Sequence, residues 1–580
     1  MKSVVRFISS LLSLVLLCTF IVLPVSAEKT DPFRIENGVL IQYTGKEEIV
    51  TVPDGVTSIG RNVFMSQHQI KKVILPEGLT TIGEGAFQYC KNLSEINLPN
   101  GITKIGKGAF SDCTVLTGIV IPKGITEIEE DTFSYCINLK DVTLPNSVKK
   151  IGVSAFKWCE SLTQINLPEG LVELGDYSFM GCRKLNNVIM PDSVTVLGMS
   201  VFNDCNSLSK ITLSKNITRI EGGMFTATAF TSFAVPNYIT SIGGSAFAYC
   251  SELKSITIPD SVTSMGDYLF QHNSKLETVV IADSVTRIGD EFFSECSSLK
   301  TVKLPKKLSY LGKKAFYSCD NLESVIIPEG ITSIQESTFS GSSRLKYVSI
   351  PDGVTTIESF AFYDCTSLTR LSIPGSVTSI KQYSFTNCSS LVNLETPNSV
   401  FSLGYNFLGD CKNLKNLFVP DSVVSIDESN SFKGLSKLTI SGYEHSKIQS
   451  FSAAKNIPFR SLGTSPGKIK YNGKDYQGSV MVDTKTYQMQ PQNIYDIGVR
   501  PAGYGHMRTI KVVSSRDGIA TVKKMPSGNY RVTGVKPGTS YIMITVYQDE
   551  KEITHASVKV TVEKGVKAQG TATRNTSYFN

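Results

Sequence analysis

The chain has 580 residues, of which 41% are hydrophobic and 19% charged. That balance excludes a disordered chain, and the length excludes a single ordinary hydrophobic core. A formal net charge of +7 is modest for this size and gives no ground for expecting nucleic acid as a partner.

The chain opens with Lys2 and Arg6, then an apolar stretch from Phe7 to Leu23, then the small residues Val25-Ser26-Ala27. This order predicts a cleaved secretory signal over residues 1–27, and a secreted, extracellular or cell-surface location. No second apolar run is long enough to span a bilayer, so no transmembrane segment is expected after cleavage. Residues 28–52 follow as an N-terminal cap. Within it Asn37-Gly38, next to Val39-Leu40-Ile41, reads as a hairpin turn.

A strict repeat begins next. Pro53, Pro76, Pro99, Pro122, Pro145, Pro168 and Pro191 recur every 23 residues, and Ser214 fills the next place. One interval of 22 leads to Pro236, after which Pro259, Ala282, Pro305, Pro328, Pro351, Pro374, Pro397 and Pro420 restore the period. The array has 17 units over residues 53–438. In the unit of Pro99, Ile96 and Leu98 alternate with Asn97, as in a strand with one buried face. Pro99 ends that strand because it has no N–H for the ladder. Ile102 and Ile105 follow, and Gly106 is read as a turn residue. Ala109, Phe110, Cys113 and Leu116 recur at three- to four-residue spacing, which predicts a short helical turn.

No unit can bury these residues alone, so the units are expected to stack as coils around a continuous core, with the right-handed sense of parallel crossovers. One unit departs from the pattern: around Phe225 the Cys place holds Thr228, the Leu place is assigned to Thr231, and one residue is deleted. A weak joint is expected there, near residues 225–235.

Twelve of the 13 cysteines, from Cys90 to Cys411, occupy one place of the repeat. A disulfide framework is the obvious reading for a secreted chain. However, Cys250 has Thr228 and Asn273 in the neighbouring places, hence no adjacent partner. Buried free thiols, acting as small hydrophobes, fit better. The cysteines form no CxxC pair, and the five histidines form no HExxH or Cys/His cluster. No nucleophile elbow or phosphate loop occurs either. No metal, no cofactor and no catalytic constellation is expected.

After the array, residues 439–462 read as a C-terminal cap with a short helix over Ser446 to Asn456. Residues 463–471 read as a linker, and 472–563 as a small all-β sandwich of short alternating strands. Residues 564–580 form a polar tail. From residue 464 onward there are 17 basic and 8 acidic residues, net +9, which predicts attraction of this region to the anionic cell wall as a partner.

Two sets of exposed residues are candidates for ligand binding. In the outward strand place, Ile74, Val120, Ile189, Val280, Ile326 and Phe418 are apolar. In the place before Cys stand the aromatics Tyr89, Tyr135, Trp158 and Tyr249. Such rings can anchor a protein or stack on sugars, or they can pack along the neighbouring coil.

The run Leu93-Ser94-Glu95-Ile96-Asn97-Leu98-Pro99-Asn100-Gly101-Ile102-Thr103-Lys104-Ile105-Gly106-Lys107-Gly108-Ala109-Phe110-Ser111-Asp112-Cys113 resembles the BspA-like, Treponema-type leucine-rich repeat. That resemblance implies a leucine-rich repeat solenoid, a parallel β-sheet with short helical turns, on a secreted or cell-surface protein of bacteria or of some protists. Members of this family act in adhesion to host or matrix proteins and in contact with other microbes; the exposed residues add a surface glycan as a further expected ligand class. The stretch from Ser514 to Val522, with Val532 to Thr539, resembles a bacterial Ig-like domain of group 2. It implies a stalk, spacer or attachment module.

Overall fold

The computed structural model describes residues 31–427 and 432–463 and, beyond them, residues 480–482, 486–489, 494–497, 499–501, 508–514, 520–524, 530–548 and 551–562. The signal segment 1–27, most of the linker 463–471 and the tail 564–580 lie outside the described residues. The chain divides into two compact units, Met1–Ile217 and Thr218–Asn580. The boundary falls within the shortened repeat.

The described part of the first unit starts with an antiparallel hairpin, Phe33–Glu36 with Val39–Tyr43. Asn37 and Gly38 at its turn have φ of 50° and 77°, the left-handed pair that a two-residue hairpin needs. Most later coils contribute two short parallel strands; the coils at 164–167, 301–304 and 370–373 have only the inner one. One column runs Ser58–Ile59, Thr81–Ile82, Lys104–Ile105, and resumes at Glu127–Ile128, Lys150–Ile151, Glu173–Leu174 and Val196–Leu197. The other holds the outward residues: Ile49–Thr51, Lys72–Ile74 and Glu95–Ile96, then Gly118–Val120 with Asp141–Thr143, then Asn187–Ile189 with Lys210–Thr212. Registers shift by one repeat at each step, so like residues pair with like (Val50↔Val73, Ile151↔Leu174).

The third side of each coil is where the sequence expectation needs correction. Helical turns are not found there; the one described helix lies in the C-terminal cap, at Lys447–Ala454. The segment around each Phe is a chain of turns with two residues in the left-handed region, Asp131 (φ 54°) and Tyr135 (φ 58°) in one coil, Ser154 and Trp158 in the next. Its N–H groups point along the stack instead of along their own segment: Asp131, Phe133 and Tyr135 donate to the carbonyls of Val153, Ala155 and Lys157 at 2.7–3.0 Å. The intervening N–H groups close turns within the coil, as Ser134 does on Asp131 and Cys136 on Phe133. Stacked turns and a helix share the three- to four-residue spacing of buried side chains, so spacing alone could not separate them.

Gly106 also has a different reason from the one expected. It has no positive φ; a Cβ there would lie 2.6 Å from the Glu84 backbone nitrogen of the preceding coil. Glycine at this place lets two coil backbones approach.

The core of each unit is the inside of its coils. Phe64 through Phe202 are fully buried, with consecutive rings 5.0–5.8 Å apart and planes within 12°. Tyr43 of the hairpin lies 5.0 Å from Phe64 and closes that end.

The second unit repeats this plan. Its inner strands form three groups, from Arg219–Ile220, Arg287–Ile288 and Ser333–Ile334 onward, and its Phe column is regular from Phe293 to Phe385. In the shortened repeat the deletion falls earlier than expected. Phe233 pairs with Ile256, so Phe230, at 2% exposure, takes the Leu place in lieu of Thr231. Phe225, Phe230, Phe233 and Phe247 form one cluster with centroids 5.0–5.7 Å apart. At the far end, the helix Lys447–Ala454 is capped by Ser446, whose hydroxyl accepts from the Gln449 N–H. It buries Ile448 and Phe451, and Phe459–Ser461 extends the outer strands. Between 480 and 562 the described strands form two larger groups: Arg508–Ser514, Gly538–Gln548, Lys551–Val562 and Thr486–Met489, and Ile494–Ile497, Tyr530–Gly534 and Ala520–Lys524. Val480–Val482 pairs with Val499–Pro501.

Candidate binding surfaces

The buried places of the repeat are occupied by the fold. The clearest case is cysteine. All twelve are free and buried, and each Sγ donates to the carbonyl of the Phe one coil back, at 3.0–3.3 Å. Two substitutes keep that bond, Ser342 Oγ to Phe316 O at 2.8 Å and Asn273 Nδ2 to Phe247 O at 2.9 Å, whereas Thr228 Oγ1 donates to Phe225 O of its own coil at 2.9 Å. In most units the place is thus filled by a compact donor. Burial pushes Cys90 and Cys136 up to about 12 and Cys250 up to about 11, so these thiols are poor nucleophiles at neutral pH. Among the described residues no group of three or more His, Cys, Asp or Glu is placed to hold a metal ion.

What is left for a ligand is outside. In the outer strands the middle residue points in and its neighbours point out, so Val73 is buried while Ile74 is 39% exposed. Val120 and Ile189 in the first unit are 66% and 63% exposed, and Val280 and Ile326 in the second are 52% and 71% exposed. Their partners across the ladder are polar: Thr143, Thr212, Thr257 and Ser349. These apolar residues therefore stand singly on a neutral, hydroxyl-rich strand face. Phe418 differs: its ring is half-buried and meets Tyr443 of the C-terminal cap edge-on at 6.1 Å.

The four aromatics before Cys all sit in the left-handed region, with φ of 58–60°. An aromatic is uncommon there, and the N–H of each is held by the next coil, as Tyr135 is by Lys157 O at 2.7 Å. Their rings divide into two kinds. Trp158 is half-buried: it lies against Gly181, where a Cβ would come within 2.4 Å of the ring, and Arg183 covers it at 4.8 Å. Tyr249 stacks on His272 at 4.4 Å, and His272 Nδ1 is 2.7 Å from a Glu295 oxygen. Tyr89 and Tyr135, 36% and 41% exposed, have no ring partner among the described residues. The structure does not bring these aromatics together with the outward strand residues; the two sets lie on different columns of the coil.

One aromatic group escaped the sequence reading. Phe360 stacks on Tyr383 at 4.8 Å, with Tyr363 and Tyr405 at 5.7 and 5.1 Å from their neighbours. The signal was present: Phe360 and Tyr383 are one period apart, in the first left-handed place of the turn column.

Charges on the coils meet at one-repeat spacing. Lys71–Glu48, Lys107–Glu130, Lys275–Glu252 and Lys346–Glu323 are 2.6–3.2 Å apart. All are exposed and each contributes little to stability. A groove of about 550 Å³ opens on the strand face between Thr301 and Glu329.

Comparison with known proteins gives three findings. Residues 40–159, 126–232, 223–345 and 309–439 match the family model of the BspA type leucine rich repeat region. Solved structures similar to the chain include a leucine-rich repeat protein from Bacteroides ovatus, at 25% identity over 74% of this chain and 97% of that one, TM-score 0.44. They also include a leucine rich cell surface protein from Faecalibacterium prausnitzii, at 28% identity over 62% and 91%, TM-score 0.36, and the T. pallidum leucine rich repeat protein, at 39% identity over 29% and 82%, TM-score 0.29. No curated protein matches the chain.

Proposed function

Because the chain belongs to the BspA-type leucine-rich repeat family, we propose that it is a secreted or cell-surface bacterial binding protein, an adhesin whose repeat surface engages a protein or glycan ligand. The observation that carries this reading is the division of labour within each coil. Phe, Cys, Leu and the strand-centre residues are consumed by packing, whereas the outward places vary freely and leave Val120, Ile189, Val280 and Ile326 half or more exposed. Large apolar side chains held out by a rigid ladder suit a partner's surface, because they lose little entropy on binding. Host or matrix proteins and surface glycans are the partner classes; no cofactor takes part.

A second reading makes the chain a structural stalk or wall scaffold, with an Ig-like C-terminal domain as spacer or attachment module. The net +9 of the region from 464 onward supports it, through attraction to an anionic wall. The test is binding of the mature full chain to arrays of matrix proteins and surface glycans, and to purified cell walls. Saturable binding to an arrayed protein or glycan supports the adhesin. Binding to walls alone overturns it in favour of the scaffold, and no binding anywhere overturns it outright.

A further inference from the structure

The N-terminal end of the array is closed by the hairpin of Phe33–Glu36 and Val39–Tyr43. Val39–Tyr43 lies between Phe33–Glu36 and the first inner strand, Ser58–Ile59, so Phe33–Glu36 is an end strand of its sheet. Its outer edge meets no other strand among the described residues. The backbone of Ile35 is turned to that edge. Leu40 stands opposite Ile35, but the Leu40 carbonyl accepts from the Gly60 N–H at 2.8 Å, on the other side of its strand. The N–H and C=O of a strand residue point the same way, and opposed residues of an antiparallel ladder are alternately bonded and not bonded. Ile35 and Leu40 are thus a non-bonded pair. The Ile35 N–H and C=O are left for a strand outside the hairpin.

The side chains of this edge have a symmetric order. Arg34, Ile35 and Glu36 are all exposed. Arg34 and Glu36 share one face of the strand and are joined at 2.7 Å. Ile35 is on the opposite face with Phe33, whose ring lies 5.2 Å from Tyr43 at the end of the core. Nothing covers Ile35 in the same way, and it stays 39% exposed. Ile41, which the register of the hairpin skips, and Ile49 of the first outer strand are exposed at the same end of the array.

We propose that this edge pairs with the same edge of a second copy of the chain, antiparallel about a two-fold axis at Ile35. Such an axis sets Ile35 opposite Ile35 and Arg34 opposite Glu36 on both sides of it. The Ile35 N–H of each copy then donates to the Ile35 carbonyl of the other. Charges on an edge strand ordinarily discourage pairing with another strand. Here their order, one cation and one anion about a central isoleucine, makes the strand its own complement. That charge complementarity selects a second copy over an unrelated strand. Four-residue strands bury little area, so the dimer is weak and depends on concentration. Each dimer carries two repeat arrays, which under the adhesin reading raises avidity for a ligand spread over a surface.

The test is sedimentation equilibrium of the full chain from Glu28 onward. The average mass should rise towards twice that of the monomer with concentration. Arg34→Glu alone sets two carboxylates opposite carboxylates, and Glu36→Arg alone sets guanidiniums opposite guanidiniums; each should weaken the dimer at least tenfold. An equimolar mixture of these two variants should dimerise again, and so should the doubly exchanged Arg34→Glu/Glu36→Arg chain, because opposite charges then face each other. Ile35→Pro removes the outward N–H and should abolish the dimer. The Arg34–Glu36 pair is exposed and contributes little to the fold, so the charge variants should unfold at the wild-type temperature. A chain that stays monomeric up to roughly 100 µM, a dimer indifferent to the single charge reversals and so formed by another face, or a mixture that fails to dimerise overturns the proposal. None of these outcomes touches the adhesin reading, which the ligand arrays test with either form of the chain.

Discussion

At the scale of single residues, the cysteine column shows how a place in a repeat can be chosen for a hydrogen bond. Period and substitutes already spoke for free thiols in the sequence, since Cys250 has no cysteine neighbour. The reason for a thiol became visible only with the Phe carbonyl one coil back, which accepts both its own coil's Cys N–H (Cys90 N to Phe87 O, 3.1 Å) and the next coil's thiol (Cys113 Sγ, 3.3 Å). All twelve thiols should resist a thiol reagent in the native chain and react when it is unfolded without reductant; a native count near twelve would contradict their burial. Their titration also predicts a pH dependence. For Cys90, Cys136 and Cys250 folding favours the protonated thiol, so each of the three stabilises the fold in full below its unfolded value of 9.0, and that contribution is lost as pH rises towards about 11 to 12. Denaturant midpoints should therefore fall between pH 9 and pH 11, by up to about 1.4 kcal/mol per pH unit for each such thiol. A midpoint that stays level across that range would show that the thiols are not buried in this way. Trp158 offers a second residue-level test. Gly181→Val places a Cβ in its ring and a branched side chain at a φ of 75°. It should cost roughly 1–3 kcal/mol and red-shift the single tryptophan's emission; an unchanged spectrum would mean the ring does not lie on Gly181.

At the scale of elements, the strands were legible and the turns were not. Alternation such as Ile96-Asn97-Leu98 has one structural meaning, because only a strand sends successive side chains to opposite faces. Ala109, Phe110, Cys113 and Leu116 suit a helix and a stacked turn equally. What distinguished them was the residue type in two further places, where Asp112, Ser154, Asp204, Asn387 and Asp410 take left-handed φ that Asp and Asn tolerate comparatively well. The aromatics in those same places hid the pattern. The turn column makes the Phe stack a load shared between coils. Phe133→Ala, in mid-column between Phe110 and Phe156, should lower stability by about 3–5 kcal/mol. A terminal replacement such as Phe64→Ala should cost less, because Phe64 has a repeat neighbour on one side only. Equilibrium unfolding of the two variants checks this, and equal losses would argue against a continuous column.

At the scale of the whole molecule, the period of 23 makes every unit of the array recognisable, and it is uninformative about ligands for the same reason. The constant places are consumed by stacking, so the proposed binding falls to places where the repeat is free to vary. Thus Val120, Ile189, Val280 and Ile326 could be named from the sequence as outward, and they are exposed. Tyr249 and Trp158 could be named as aromatic, yet their contacts with His272 and Gly181 depend on the next coil. The most direct test compares two full-chain variants against any ligand found on the arrays. One carries Val120→Ser, Ile189→Ser, Val280→Ser and Ile326→Ser on the strand face, and the other Tyr89→Ser, Tyr135→Ser and Tyr249→Ser on the turn face. The account predicts that the strand-face variant loses affinity at least tenfold with its unfolding midpoint unchanged, while the turn-face variant still binds. Retained affinity in the strand-face variant, with loss in the turn-face variant or in neither, would contradict it.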